Sequence, residues 1–477
     1  MRSKWRKIGL VALTVLLLGS AATVQRALNT QRATLGLTRI APLENAPPML
    51  AFTTVALGGF RGLIANALWI RANDLQNDGK YFEMVQLADW ITKLEPTFAQ
   101  VWIVQAWNMA YNISVKFPAG EDRWRWVLRG IELLRDGGLR YNPKEALIYR
   151  ELAWFFQHKM GMNLDDAHLV YKYNWAVAMT NLFGGPKPNF DQLLNPSTEA
   201  ERVRATRLRN EYKMDAQVMR EVDGLYGPLD WRLPEAHAVY WGHIGLKYSK
   251  KTDLITLRRV VYQSMSLSVL RGRLISLDPM WFGPNLDRAE RANQAYEQMI
   301  AEELESKQNV QNAHKNFLRE LTYLSYSHNR LAEARRWFAL LKEKYPDAVP
   351  PGLSMEEFSL QRIMGNFFDL GHDRTKALLE GLLVQYWISI AFADEDRSEE
   401  DRALGLESQA RYLWNYYMQK MASRRNVLAL PPFDEMKKSV LDMMLKPDGI
   451  DARIQTRLRA KLGIAAPAAE QKNPPSQ

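Results

Sequence analysis

The feature that most constrains this chain is the regular interruption of helical segments by residues that stop helices. From Gly58 onward, helical segments of about 12–20 residues recur, separated by clusters of glycine, proline and asparagine. Within Tyr81–Leu94, for example, Met84, Ala88 and Ile91 fall on one side at helical spacing. Alternating strand patterns bounded by hairpin turns are missing. The sequence therefore predicts an all-α fold.

Short stops separate one predicted helix from the next. A helix over Gly62–Asp78 ends before Gly79, and the helix over Tyr81–Leu94 ends at Glu95-Pro96. Proline disfavours helical geometry in the residue before it, which explains the second stop. Another helix is predicted over Thr97–Ile113. The pattern is a helix, a short turn, a second helix and another short turn.

This arrangement resembles the tetratricopeptide repeat, an antiparallel helix pair of about 34 residues that stacks into a superhelix. Gly79, Tyr81 and Pro96 occupy the outer places of the repeat's second helix. Trp102 stands where the next repeat carries its tryptophan, and Ala106 where it carries a small residue. The resemblance implies that these five residues are structural.

The match has departures and gaps. Met84 stands where the family prefers alanine, and Ala88 where it prefers an aromatic residue, so small and large side chains are exchanged. Weaker echoes occur at Tyr141–Pro143 and at Leu277–Trp281. We expect helix packing around Ala88 to differ from that of the family.

The best single match lies much later in the chain, at Asn329–Pro346. Ala334, Phe338 and Pro346 occupy the alanine, aromatic and proline places of the repeat. The resemblance therefore implies a right-handed solenoid of stacked helix pairs, similar to tetratricopeptide-repeat arrays, with one N-terminal transmembrane or signal helix. The predicted segments are a basic segment 1–7, an anchor 8–25, a linker 26–57, repeats 58–183, insertion loops with a charged helix 184–234, repeats 235–350, a C-terminal helical domain 351–462 and a disordered tail 463–477.

The N-terminus predicts a location. The run Ile8–Val24 carries no charge and follows four cationic side chains. Its length is at the short limit for crossing a bilayer, and the preceding basic residues favour a cytoplasmic N-terminus. The prediction is a single-pass protein of the inner (cytoplasmic) membrane with its bulk on the periplasmic side. A cleaved signal peptide is the alternative, because Ser20 and Ala22 fit a small-x-small cleavage site.

Composition excludes several kinds of chemistry. The chain has no cysteine, so disulfides, thiolate metal sites and cysteine nucleophiles are excluded. No phosphate-binding glycine loop and no zinc-protease or serine-hydrolase motif is present. The net charge of +10 is moderate for 477 residues and does not require nucleic acid as a partner. We expect no catalytic residues, no metal and no cofactor.

The most unusual local sequence is Tyr226–His243. It could form an aromatic and cationic site for a peptide, a glycan or a lipid headgroup, or it could be core packing between repeats. An enzyme site here requires His237, Asp230 and Arg232 to converge. The candidate binding residues are Asp230, Trp231, Arg232, His237, Tyr240, Trp241 and His243.

A second polar pair lies at the start of a predicted helix. Asp165 and His168 are three residues apart and could share a helical face, where they would suit a metal or a base with its orienting acid. The alternative is ordinary helix capping by Asn163 or Asp165.

The resemblance implies protein or peptide binding on the concave face of the array. The expected function is a membrane-anchored periplasmic scaffold for an envelope complex, with a transport or secretion complex as the expected kind of partner. No nucleic acid is expected. The alternative is an envelope enzyme or binding protein acting on glycan or lipid through Tyr226–His243.

Overall fold

The structure, a computed structural model, describes residues 2–34, 60–277, 280–302, 307–364, 372–394, 397–422, 429–446 and 449–465. The described residues are mostly helical. They form two compact units, residues 1–101 and residues 102–477. Most of the predicted linker and of the predicted C-terminal tail lies outside the described residues.

Among its described residues, the first unit contains three complete helices: α1 (Arg2–Thr34), α2 (Phe60–Asn77) and α3 (Tyr81–Leu94). Because α1 continues to Thr34, the prediction that the linker begins at residue 26 is wrong. No stop such as proline or glycine occurs in the sequence between Val24 and Thr34. Over the described part of the chain, no helix is both long and apolar enough to cross a membrane.

Helices α2 and α3 pack against each other across a short turn. Met84, Ala88 and Ile91 are all buried, as the spacing predicts. Ile91 belongs to a cluster with Ala65 and Val101. Both bounds of α3 agree with the prediction.

The second unit begins within α4 (Ala99–Trp107). Its next helices are α5 (Gly120–Glu132), α6 (Leu139–Tyr141), α7 (Ala146–Trp154), α8 (His168–Phe183), α9 (Phe190–Leu194), α10 (Glu199–Asn210), α11 (Ala216–Tyr226), α12 (Pro234–Tyr248) and α13 (Lys251–Leu270). Wider π-helical turns extend α4, α5 and α7 over Asn108–Ile113, Leu133–Gly138 and Phe155–Gly161.

The rest of the second unit follows a short hairpin of strands β1 (Arg273–Leu277) and β2 (Met280–Gly283). Its helices are α14 (Ala289–Glu302), α15 (Lys307–Ser327), α16 (Leu331–Lys344), α17 (Met355–Met364), α18 (His372–Phe392), α19 (Arg397–Ala422), α20 (Phe433–Met444) and α21 (Ala452–Leu462). Single 3₁₀ turns occur at Ser114–Lys116, Leu286–Arg288 and Pro346–Ala348.

The hairpin corrects one sequence prediction. Leu277 and Met280 pair across two antiparallel strands, so the echo of a repeat at Leu277–Trp281 is wrong. The segment Arg273–Leu277 alternates buried and half-buried residues, which is the pattern of a strand with one packed face. It is too short to stand out against the surrounding helical pattern.

The charged helix of the predicted insertion is also divided. The sequence predicts one helix over Glu199–Val222, but the structure has α10 and α11. Lys213 lies between them with φ at +53°, in the left-handed region. Asp215 caps α11 by accepting a hydrogen bond from the backbone N–H of Gln217 over 2.7 Å. This cap starts a new helix that periodicity alone could not separate.

Two turns in different units have the same geometry. Gly79 follows α2 with φ at +71°, and Asn329 follows α15 with φ at +56°. The next N–H groups, on Lys80 and Arg330, each donate to the preceding helix over 2.8 Å. The sequence positions that suggested the repeat therefore form the same local structure twice.

The proline stops are also alike. Glu95, Asn142 and Tyr345 each end a helix directly before a proline. Their φ and ψ angles are −127° and 64°, −132° and 59°, and −138° and 73°. Proline imposes this geometry because it excludes helical angles in the residue before it.

The two best matches carry different side chains at the same two core places of the repeat. Met84 and Ala88 are buried in α3, whereas Ala334 and Phe338 are buried at the matching places of α16. Among the remaining repeat positions, Trp102 and Ala106 in α4 are core residues, whereas Gly79 and Pro346 are exposed. Tyr81 is half-buried at the start of α3.

Helix α12 lies at the centre of the packing around it. Nearly all of it is buried, and it packs against α7 and α13. Close approach depends on two glycines: a Cβ at Gly245 would lie 2.8 Å from both Leu257 and Tyr149, and one at Gly242 would lie 2.7 Å from Val261. This helix carries most of the candidate site residues.

Candidate functional site

Asp230 and Arg232 form a closed ion pair in the turn before α12. The guanidinium of Arg232 donates to Asp230 over 2.9 and 2.7 Å. Both side chains also bind β1: the Leu274 N–H donates to Asp230 over 3.0 Å, and Arg232 donates to the Leu274 carbonyl over 2.8 Å. The pair therefore fastens the hairpin to this turn.

Trp231 and His237 are buried in the core. The indole N–H of Trp231 donates to Asp223 over 3.0 Å. The Nε2–H of His237 donates to the Trp231 carbonyl over 2.9 Å, and its ring packs against Phe156 and Trp175. Burial lowers the pKa of His237 to about 4, so its ring is neutral at physiological pH.

The convergence required for an enzyme site does not occur. Nδ1 of His237 has no hydrogen-bond partner, and its Nε2 binds a backbone carbonyl. His237 therefore makes no hydrogen bond to Asp230 or Arg232. These three residues stabilise packing and do not form a general acid–base pair.

His243 belongs to a different group, on the opposite end of α12. Its Nε2 lies 3.1 Å from a carboxylate oxygen of Glu221, and its Nδ1 lies 3.3 Å from the Tyr226 hydroxyl. Lys247 also donates to Glu221 over 3.3 Å. Burial lowers the pKa of His243, whereas the hydrogen bond from His243 is the main reason that the pKa of Glu221 is lowered.

Two candidates of the predicted set, Tyr240 and Trp241, line an open depression that we call the aromatic groove. It has a volume of about 910 Å³. The Tyr149 ring lies 6.3 Å from the Trp241 ring and stacks on Tyr248 at 5.7 Å. Tyr248 is 39% exposed, whereas Tyr149 and Trp241 are buried, at 8% and 3%.

Charged side chains of both signs surround the aromatic groove. Arg135 donates to Asp136 over 2.6 and 2.9 Å from the second π-helical turn. Burial raises the pKa of Glu132 beside them. The other charged residues that line the groove are Arg140, Glu211, Lys213, Asp215 and Lys247.

Most of the residues that line the aromatic groove were not predicted from the sequence. Tyr149 lies in α7 and Lys213 in the loop between α10 and α11, and neither belongs to the predicted set of binding residues. The Tyr240 hydroxyl accepts a hydrogen bond from the Asp215 N–H over 2.8 Å, which ties the loop before α11 to α12. No local pattern could predict the joining of segments that lie so far apart.

Asp165 is a buried structural hub. It accepts hydrogen bonds from Lys159 over 2.6 Å and from the Tyr171 hydroxyl over 3.0 Å. It also accepts from the Ala167 N–H over 2.9 Å, a bond two residues along the chain that forms the turn before α8. Because no side chain caps this helix, the prediction that Asp165 is a helix cap is wrong, and His168 contacts Lys172 and not Asp165.

Lys172 is the most perturbed cation near this hub. Its ammonium lies 3.0 Å from the side-chain oxygen of Asn163 and 2.9 Å from Nδ1 of His168. Burial lowers its pKa to about 8. Arg271 shares Asn163 and pairs with buried Glu235 at 3.2 Å. These contacts give polar partners to the charged side chains that lie between α8, α12 and the end of α13.

Within the described ranges, no group of three or more histidine and acidic side chains could hold a metal ion. Comparison of the chain with protein families, with curated proteins and with solved structures gives no significant match. The functional interpretation therefore depends on the aromatic groove and its surroundings.

Proposed function

We propose that the chain is a membrane-anchored, periplasmic helical-repeat scaffold that binds a peptide segment of a protein partner in the aromatic groove. The observation that carries the proposal is the open groove in which Tyr248 is exposed beside the largely buried rings of Tyr149 and Trp241. Aromatic side chains give large contact area at little entropic cost, which suits peptide recognition.

The charges favour a polypeptide over a single small ligand. Acidic Glu211 and Asp215 and basic Lys213 and Lys247 line one open groove. A peptide can match charges of both signs along its length, whereas a purely anionic or cationic ligand meets repulsion from half of them. A volume of about 910 Å³ accommodates several residues of an extended chain.

The repeat-like turns at Gly79 and Asn329 support the scaffold part of the proposal. Tetratricopeptide-type helix pairs present concave surfaces whose lining residues vary while packing residues do not. A partner from a membrane transport or secretion complex fits this proposal, because anchoring raises the effective concentration of a scaffold for partners at the same membrane.

The anchor part of the proposal depends on α1. The charge-free run Ile8–Val24 lies within this helix. Its described large apolar side chains are exposed, with Val15 at 64% and Leu16 at 72%. We expect alkaline extraction to leave the full chain in the membrane pellet and to release a chain lacking residues 1–34. Equal release of both chains would refute the anchor.

The groove is tested with a photo-crosslinking amino acid in native membranes. Position 248 lies in the groove, and position 173, equally exposed on α8, lies outside it. We expect a discrete adduct from position 248 that is lost when Lys213 and Lys247 are changed to glutamate. Position 173 should give no such adduct. Absence of an adduct at 248, or insensitivity to the charge reversals, would contradict the proposal.

A further inference from the structure

A second pocket lies beside the aromatic groove, where the chain passes from α9 and α10 into α11. We call it the α9–α11 pocket, and its volume is about 530 Å³. Its apolar lining has two half-buried residues, Leu194 and Ala205, and four buried ones. The buried ones are Leu193, Leu208, Met214 and Ala216. The pocket is therefore a largely apolar depression within the size range of ligand-binding pockets.

The turn between α10 and α11 gives the pocket a defined shape. The Met214 N–H donates to the Leu208 carbonyl over 3.1 Å, so the chain turns back onto the end of α10. Asp215 then starts α11 by accepting from the N–H groups of Gln217 and Val218 over 2.7 and 3.3 Å. A binding site whose backbone is already hydrogen-bonded loses little conformational entropy when it is occupied.

Two exposed cations, Arg209 and Lys213, also line the pocket. Within the ranges that the structure describes, neither side chain has a hydrogen-bond or ion-pair partner. The neighbouring carboxylates are already engaged: Glu211 accepts from Arg207 over 2.9 and 3.3 Å, and Asp215 accepts from the two N–H groups of α11. The charge that remains available to a ligand at this pocket is positive, which favours an acidic group.

The α9–α11 pocket is continuous with the aromatic groove. Lys213 and Asp215 line both depressions, so a bound peptide that passes Lys213 leaves the groove and enters the pocket. An extended peptide advances about 3.4 Å per residue, and its successive side chains point to opposite sides. Neighbouring side chains of one peptide can therefore reach the apolar lining and the two cations.

We propose that the α9–α11 pocket is a specificity subsite of the peptide site, and that it takes an apolar side chain next to an acidic side chain of the partner. The apolar side chain contacts Leu194 and Ala205, and the carboxylate binds Arg209 and Lys213. Charge-assisted hydrogen bonds of this kind are stronger than neutral ones. The subsite rests on the proposed function, because it requires a peptide in the aromatic groove.

Photo-crosslinking from two positions tests the subsite with the full chain in native membranes. Position 248 lies in the aromatic groove and position 217 in the α9–α11 pocket. Position 192 is the matched control, because Gln192 and Gln217 are both exposed and only Gln217 lines the pocket. Mass spectrometry of the digested adducts identifies the crosslinked segment of the partner. We expect adducts from 248 and 217 to one segment of one protein, with an apolar residue next to an aspartate or glutamate at the 217 crosslink, and no such adduct from 192.

The outcomes separate the subsite from the proposed function. Absence of an adduct from position 248 would contradict the proposed function and the subsite with it. An adduct from 248 without one from 217 to the same segment would overturn the subsite alone. A crosslinked segment that lacks the apolar and acidic pair would also overturn it, and so would an adduct from 217 to a lipid, which would assign the pocket to a free amphiphile.

Charge reversal tests the acidic contact directly. Arg209→Glu changes a side chain that lines the pocket and not the groove. We expect it to lower the adduct yield at 217, relative to the amount of chain in the membrane, by about fivefold. Exchange of the partner's acidic residue for lysine should restore that yield. Lys187→Glu is the control, because Lys187 is an exposed cation that lines neither depression, and it should leave the yield unchanged. An unchanged yield for Arg209→Glu, or no recovery with the lysine-bearing partner, would show that no carboxylate binds there and would overturn the subsite.

Discussion

Asp230 and Arg232 hold each other and the same strand residue, Leu274. Two hydrogen bonds join the side chains, and each side chain also binds one backbone group of Leu274. Both side chains are largely buried. Together they satisfy an N–H and a carbonyl on one side of β1, in the way that a neighbouring strand would.

Loss of the Asp230 charge should destabilise the second unit. Asp230→Asn leaves the Arg232 guanidinium without its partner, and we expect a loss of about 2 kcal/mol in the free energy of unfolding, measured by urea denaturation. Asp191→Asn is the control, because the Asp191–Arg220 pair is exposed and should cost under about 0.5 kcal/mol. Equal costs for the two variants would show that the pair does not fasten the hairpin.

His237 should make stability depend on pH. Its pKa is lowered from 6.5 to about 4 by burial, so the unfolded chain binds a proton that the folded chain does not. The stability from the neutral ring is complete above about pH 6.5 and is lost as the pH falls towards 4. Between pH 6.5 and 5 the loss should be about 2 kcal/mol.

The comparison of wild type with His237→Phe isolates this contribution. His314 and His328 titrate in both proteins, so their effects cancel in the difference. We expect wild type to lose about 2 kcal/mol more than the variant between pH 6.5 and 5, in urea denaturation at both pH values. Parallel losses in the two proteins would mean that His237 is not protonated on unfolding.

Gly245 should tolerate no side chain. Its missing Cβ would lie 2.8 Å from Leu257 and from Tyr149, so Gly245→Ala forces α12 away from α7 and α13. We expect a loss of about 1–2 kcal/mol in spite of the higher helix propensity of alanine. Gly224→Ala in α11 meets no described atom and should instead add about 0.5–1 kcal/mol. Thermal unfolding should give a lower Tm for Gly245→Ala and a higher Tm for Gly224→Ala than for the wild type, and changes of the same sign would contradict the prediction.

The sequence predicted what depends on local rules. Helix α3 was placed at both ends, because Gly79 and Pro96 act on the residues beside them. Local rules failed at β1, because the contacts that hold this strand come from Asp230 and Arg232, outside the segment. They also failed at Lys213, because a single capping residue, Asp215, starts a new helix there.

The candidate site was predicted less well, for a physical reason. Tyr226–His243 is rich in aromatic and charged residues, but their density reflects burial of α12 as much as binding. His237 and Trp231 face the core, whereas Tyr240 and Trp241 line the groove. Which face meets solvent depends on α7 and α11, and a single segment carries no information about these neighbours.

The two left-handed turns should respond differently to alanine and glycine. Gly79 and Asn329 have φ at +71° and +56°, a region that disfavours side chains with a Cβ by about 1 kcal/mol. Gly79→Ala and Asn329→Ala should each cost about that amount, whereas Asn329→Gly should be neutral or stabilising. Hydrogen exchange of the flanking helices measures each turn separately. If Asn329→Gly were as costly as Asn329→Ala, the turn would depend on the asparagine side chain and not on its backbone conformation, and its equivalence to Gly79 would fail.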